Sequence, residues 1–138
     1  MNGKISLVIE SPSSAAALFR AKLPKEQKEE CVFVLPLDAH GKVLAGPILV
    51  SVGHEDGTAT IDAGSIFREA LKAGAEEIIV VHNHPSGNPT PSKADIAMTK
   101  ELKDLASRLG VELIDHIIIG SPDSAGGEGF VSLAESGL

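Results

Sequence analysis

The chain has 138 residues and a mass of 14.3 kDa, 43% of them hydrophobic with a mean hydropathy of +0.14, which suits one domain with a single buried core. Nineteen acidic against twelve basic residues leave a net charge of -7, and with no Trp, no Tyr and four Phe there is little to hold a phosphate backbone or stack on unpaired bases, so direct nucleic-acid binding is not expected. No stretch is apolar and long enough to span a membrane, the opening MNGKISLVIE lacks a basic region followed by an apolar core, and the lone Cys31 excludes an internal disulfide, so a cytoplasmic location is expected.

In chain order, Lys4 to Glu10 is a short strand by pattern, and Ser11-Pro12 supplies an N-cap and N1 proline for a helix ending near Leu23-Pro24. After the charged segment Lys25 to Glu30, CVFVLPLD predicts a core strand, with Cys31 as a buried structural thiol. The turn Asp38-Ala39-His40-Gly41 leads into a second strand from Lys42 to Val52, so the two form a hairpin. Gly53 to Asp62 is polar, a loop with room for a short strand, and His40 and His54 fall in turn-like, solvated surroundings. Ile66, Phe67, Ala70, Leu71 and Ala73 form a helical stripe over Gly64 to Ala73 that Gly74 terminates. Glu77 to Val81 (EIIVV) predicts a buried strand, Ser92 to Leu109 a helix stopped by Gly110, and Val111 to Ile119 a further strand. The glycine-rich loop Ser121 to Gly129 precedes an edge strand at Phe130 to Leu133, and Ala134 to Leu138 is expected to fray. Strands alternating with helices, and an early hairpin, predict one three-layer α/β/α domain over residues 1–138 with a mixed sheet.

The chemistry gathers where the sixth of these elements ends. His82-Asn83-His84-Pro85 closes the EIIVV strand, and two side chains spaced by one residue on a strand share a face, so both imidazoles can grip one ion. Pro85, Gly87, Pro89 and Pro91 forbid regular structure before the helix at Ser92, whose first turn carries Asp95. Ser92 and Asp95 also make an ordinary helix start, a hydroxyl N-cap with an acid favoured by the helix dipole. Two neutral nitrogens and one carboxylate leave the fourth position of a tetrahedral zinc open, the pattern of a catalytic site. A hydrolytic zinc also needs a proton acceptor, and the motif holds no spare acid. Glu29, Glu30, Asp38, Glu69, Glu76 and Asp115 all sit near element ends, and periodicity does not choose among them.

The stretch VVHNHPSGNPTPSKADIAMTKELKDLASRLGVELIDHIIIG resembles the RadC family, the bacterial branch of the JAB/MPN metalloprotease superfamily, with its JAMM motif Glu…His-x-His-Pro-x6-Ser-x2-Asp. Upstream, EECVFVLPLD resembles the family strand that begins with the motif glutamate. The resemblance implies a JAB/MPN-like fold, its layering broadly similar to that of cytidine deaminases. It implies that His82, His84 and Asp95 bind Zn2+, that Glu30 is the general base with Glu29 the fallback, and that Ser92 steadies the metal-bound water and the oxyanion. The implied activity is that of a zinc metallopeptidase or isopeptidase in which the metal-bound water attacks an amide carbonyl, with a peptide or the tail of a protein modifier as substrate. Asp115-His116 matches the family's closing strand, and His116 is expected to be a supporting or structural residue, not a ligand.

Two departures from the family pattern stand out. The family's helix-hairpin-helix region is not expected ahead of this domain, and HEDGTATIDAGS replaces a stretch that usually carries a Pro-Arg pair. The rival readings are a non-catalytic MPN-type scaffold and a DNA-repair-associated protein, the latter suggested by the family's name alone. A zinc nucleobase deaminase would need His-x-Glu and Pro-Cys-x-x-Cys, which a single cysteine rules out.

Overall fold

The computed structural model describes residues 7–23, 29–52 and 62–138. Helix α1 spans Pro12–Arg20, capped by Ser11, whose hydroxyl accepts from the Ser14 amide 3.2 Å away. The seven residues of β1, Cys31–Leu37, are buried on both faces, which is why they read as an unbroken apolar run. Next come β2 (Ile48–Val52), α2 (Ala63–Lys72), β3 (Glu77–Asn83), α3 (Lys93–Leu109), β4 (Glu112–Ile119) and β5 (Phe130–Ser132). They build a five-stranded sheet in the order β2-β1-β3-β4-β5. All contacts are antiparallel except β3 with β4, which run parallel with α3 as their crossover.

Alternation along the strands divides the core in two. Phe33, Leu35, Ile79, Val81, Ile117 and Ile119 face α1, where Phe19 meets Phe33 edge to face at 5.7 Å. Val32, Val34, Ile78 and Val80 face the other way, onto Ile66, Phe67 and Ala70 of α2 and Leu102 and Ala106 of α3. This is the expected α/β/α arrangement with a mixed sheet. His82 continues the Ile78, Val80 series, so it points to the α3 side, and β4 places His116 on that same side by the alternation with Ile117 and Ile119.

Several boundaries differ from expectation. Residues 7–10, the described part of the first predicted strand, contribute only an isolated bridge, Val8 with Lys42. The predicted strand over 42–52 is interrupted: after the bridge of Val43 to Leu37 the chain bends, and regular pairing resumes at Ile48. Pro36 has no amide to donate toward Leu44, and Gly46-Pro47 breaks the partner strand, so a continuous ladder cannot form there. Helix α1 stops at Arg20, a little short of the expected end. The C-terminus does not fray: its amides bond back, Ser136 to the Ser132 carbonyl at 3.2 Å and Leu138 to that of Leu133 at 3.0 Å. The polar loop at 53–61, His54 and the charged residues 25–28 lie outside the described residues. Among the described residues no helix is long and apolar enough to cross a membrane.

Candidate metal centre

Strand β1 runs antiparallel to β3 with Val32 opposite His82, so the start of β1 lies beside the end of β3. That register carries Glu30, distant in sequence, to the histidines. The chain continues extended past β3, the His84 amide bonding the Ile119 carbonyl at 2.9 Å, and His84 therefore stays on the face of His82. The proline-rich loop then delivers α3 with Ser92 as its N-cap: the Ser92 hydroxyl accepts from the Asp95 amide at 3.1 Å, and the Ser92 amide donates to Asp95 Oδ2 at 2.8 Å. The capping box that starts the helix is thus also the device that aims the Asp95 carboxylate.

Glu30, His82, His84 and Asp95 each offer one donor atom, and these atoms lie within 4.8 Å of one another. His82 Nε2 is 3.2 Å from His84 Nε2 and 3.2 Å from Asp95 Oδ1, while His84 Nε2 is 3.1 Å from Asp95 Oδ2. Ligand atoms about 2.0–2.1 Å from a tetrahedral zinc stand roughly 3.3 Å apart. The two imidazole nitrogens, and each of them to a carboxylate oxygen of Asp95 (Oδ1 for His82, Oδ2 for His84), are therefore already spaced like edges of such a polyhedron. Glu30 Oε1 lies a little farther off, 3.6 Å from His82 Nε2. His82 is wholly buried, and the side chains of Asp95, Glu30 and His84 are 9%, 14% and 19% exposed, so the cluster is shielded yet reachable from one side.

The protons matter more than the spacing. His84 Nδ1 donates to the Asn88 carbonyl at 2.9 Å, which leaves Nε2 as the nitrogen facing the cluster. Two imidazole nitrogens and two carboxylates that converge on one point need positive charge between them. The hydrogen bond to Asp95 raises the pKa of His84 against the opposing effect of burial. Burial works to raise the pKa of Asp95, but the facing imidazoles of His82 and His84 and the bond from the Ser92 amide outweigh it and hold the carboxyl well below the usual range. The site therefore draws a cation: a proton on His84 Nε2, or a divalent ion that displaces it. With two neutral imidazoles, the two carboxylates balance the charge of a divalent ion.

The structure brings four of the five sequence-predicted residues into one cluster and sets the fifth, Ser92, at its exposed rim. Three of the other candidate acids are engaged elsewhere. Asp38 accepts from the His40 and Lys42 amides in its turn, Glu69 pairs with Lys72, and Asp115 bonds Ser132 at 2.6 Å. Burial, working against that Ser132 bond, raises the pKa of Asp115. Glu29 is exposed, and its carbonyl, not its carboxylate, faces Asn83.

Supporting residues emerge that spacing did not reveal. Asn83, between the two histidines and pointing to the opposite face, accepts from the Cys31 amide at 2.7 Å and donates to the Glu29 carbonyl at 3.0 Å. It clamps the backbone on both sides of Glu30. His116 stands behind His82, its Nε2 2.9 Å from His82 Nδ1, and Thr99 stands behind His116 at 2.7 Å. Burial holds His116 neutral, its pKa pushed down to about 3. The sequence signal for Thr99 was its place one helical turn after Asp95, a spacing that puts both on the sheet-facing side of α3.

The sequence model of the RadC-like JAB domain matches residues 9–138. A UPF0758 protein of Carboxydothermus hydrogenoformans is 41% identical over 120 residues, covering 87% of this chain and 52% of its own length. UPF0758 proteins of Clostridium perfringens and Methanosarcina mazei are 37% and 38% identical over 130 residues, each covering 94% of this chain and 53% of its own length. The chain thus spans about half the length of the curated relatives it matches.

Proposed function

This chain belongs to the RadC-like JAB domain family, and from that premise and the four-donor cluster we propose that it is a zinc-dependent hydrolase cleaving a peptide or isopeptide bond. The observation that carries the reading is the convergence of His82 Nε2, His84 Nε2 and Asp95 at tetrahedral-edge spacing, with Glu30 beside them. His82, His84 and Asp95 would hold the ion. When bound, zinc supplies a Lewis acid that brings the pKa of water to about 7 and polarises a carbonyl.

The protein's own groups complete the chemistry. Glu30 faces the cluster with its carboxylate, so it accepts the proton of the attacking water and delivers it to the departing amine. The Ser92 hydroxyl oxygen is occupied by the Asp95 amide, which leaves its hydrogen for the oxygen of the substrate carbonyl as negative charge develops there. His82 and Asp95, buried, exclude water on the inner side, and substrate approaches from the side of His84 and Ser92. The proposed substrate is an extended peptide or the tail of a protein modifier.

The test is zinc per chain by elemental analysis for the wild type, His84→Ala and Glu30→Gln, with cleavage of peptide panels and modifier conjugates by the same samples. About one zinc in the wild type and in Glu30→Gln, none in His84→Ala, and hydrolysis by the wild type alone are expected. A wild type that takes up no zinc after reconstitution would remove the proposal, and a fully zinc-loaded but inert wild type would favour a scaffold.

A further inference from the structure

Thr99 is 3% exposed and has one hydroxyl hydrogen, which it donates to the Asp95 carbonyl at 3.0 Å. Its oxygen can then only accept, and the partner 2.7 Å away is His116 Nδ1, which must therefore carry the proton. The His116 ring is 1% exposed and its nitrogens are engaged by Thr99 and His82, neither of them a carboxylate, so the ring is neutral and its Nε2 is bare. That bare nitrogen lies 2.9 Å from His82 Nδ1 and accepts a proton from it. His82 Nε2 is left with its lone pair, aimed at His84 and Asp95. Reversing the chain would require Thr99 to give up its bond to Asp95, and would place a proton on His82 Nε2 where an ion is to bind.

We infer that Thr99 and His116 are positioning residues: the directed hydrogen-bond chain His82 to His116 to Thr99 to the Asp95 carbonyl holds His82 in the tautomer that binds a divalent metal. The inference rests on the metal-site reading above and deepens it. Asp95 acts twice, through its carboxylate at the cluster and through its main-chain carbonyl as the anchor that gives the chain its direction. Loss of such supporting bonds behind a metal-binding histidine typically lowers metal affinity roughly 10–100-fold.

Thr99→Val keeps the shape and removes the hydroxyl; Thr99→Ser keeps the hydroxyl. Zinc affinity is measured by competition with a chromophoric chelator, and the ring nitrogens of His82 and His116 are followed by long-range proton–nitrogen NMR on the metal-free proteins. Thermal melts of the metal-free variants check folding. Expected are a wild type with His82 protonated at Nδ1, affinity lower by roughly 10–100-fold in Thr99→Val with His82 shifted toward the Nε2-protonated form, and recovery in Thr99→Ser. Unchanged zinc affinity in a folded Thr99→Val, or a wild-type His82 protonated at Nε2, overturns the inference. A wild type that binds no zinc yet shows His82 protonated at Nδ1 would sink the metal reading and leave the hydrogen-bond chain standing, so the two failures are distinguishable.

Discussion

Asn83 makes a prediction that tests how Glu30 is held. Its side chain, 5% exposed, bonds the backbone on both sides of Glu30 at 2.7 and 3.0 Å, across more than fifty residues of sequence. Asn83→Ala removes both bonds and leaves a small void between β1 and β3. At about 1 kcal/mol net per bond, with a further contribution from desolvated backbone groups, the loss is about 2–4 kcal/mol. For a domain of this size that lowers Tm by roughly 10 °C. Asn83→Asp keeps the acceptor for the Cys31 amide but sets a carboxylate against the Glu29 carbonyl, and should be at least as destabilising. Zinc content should stay at about one per chain in Asn83→Ala, because Asn83 points away from the face that carries His82 and His84. Chemical denaturation, hydrogen exchange at the Cys31 amide and elemental analysis together read this out. A wild-type denaturation midpoint with undiminished Cys31 protection would refute the clamp, and loss of zinc in a folded Asn83→Ala would refute the separation of the two faces.

Other outcomes follow from the same geometry. Burial holds the folded-state pKa of His116 at about 3, against an ordinary 6.5, so its neutral form stabilises the fold above pH 6.5 and that stability is lost progressively as pH falls toward 3. At about 1.4 kcal/mol per pH unit, the metal-free protein should lose about 2 kcal/mol between pH 6.5 and 5, measured by urea midpoints, and His116→Asn should flatten the slope. The raised pKa of His84 acts above 6.5 and the depressed one of Asp95 below the carboxylate range, so neither masks this window. Gly120→Ala would drive a methyl group into the Gly87 carbonyl and to 2.6 Å from Pro89 Cδ, displacing the loop whose Asn88 carbonyl orients His84. It should cost about 1–3 kcal/mol in a thermal melt and weaken zinc binding, and a variant with wild-type behaviour in both would contradict that account of the loop. Ser92→Ala removes the acceptor for the Asp95 amide, and should lower stability by about 1 kcal/mol in denaturation while retaining zinc through the remaining Ser92 amide bond.

The layered fold was legible because its signals are local. The unbroken apolar runs of β1 and β3, the stripe of α2 and the Ser92 cap with Gly110 in a left-handed conformation each act within a few residues. The exceptions are local as well, since Pro36 and Gly46-Pro47 were enough to break the second strand that hydrophobicity alone predicted. Chain turns at the C-terminus went unread because they are held by main-chain bonds that side chains do not advertise.

The site divides along the same line. His82, His84, Ser92 and Asp95 stand within fourteen residues, and strand parity plus a helix cap suffice to bring them together, so the sequence determined them by itself. Spacing left Glu30 as one acid among several; only the antiparallel register of Val32 opposite His82 carries it to the histidines. Thr99 and His116 likewise meet only because α3 lies against the face of the sheet where β3 and β4 run side by side. Local pattern dictates which groups share a face, because that follows from backbone geometry over a few residues. Which faces meet, and therefore where each proton sits, is settled by packing between elements distant in the chain.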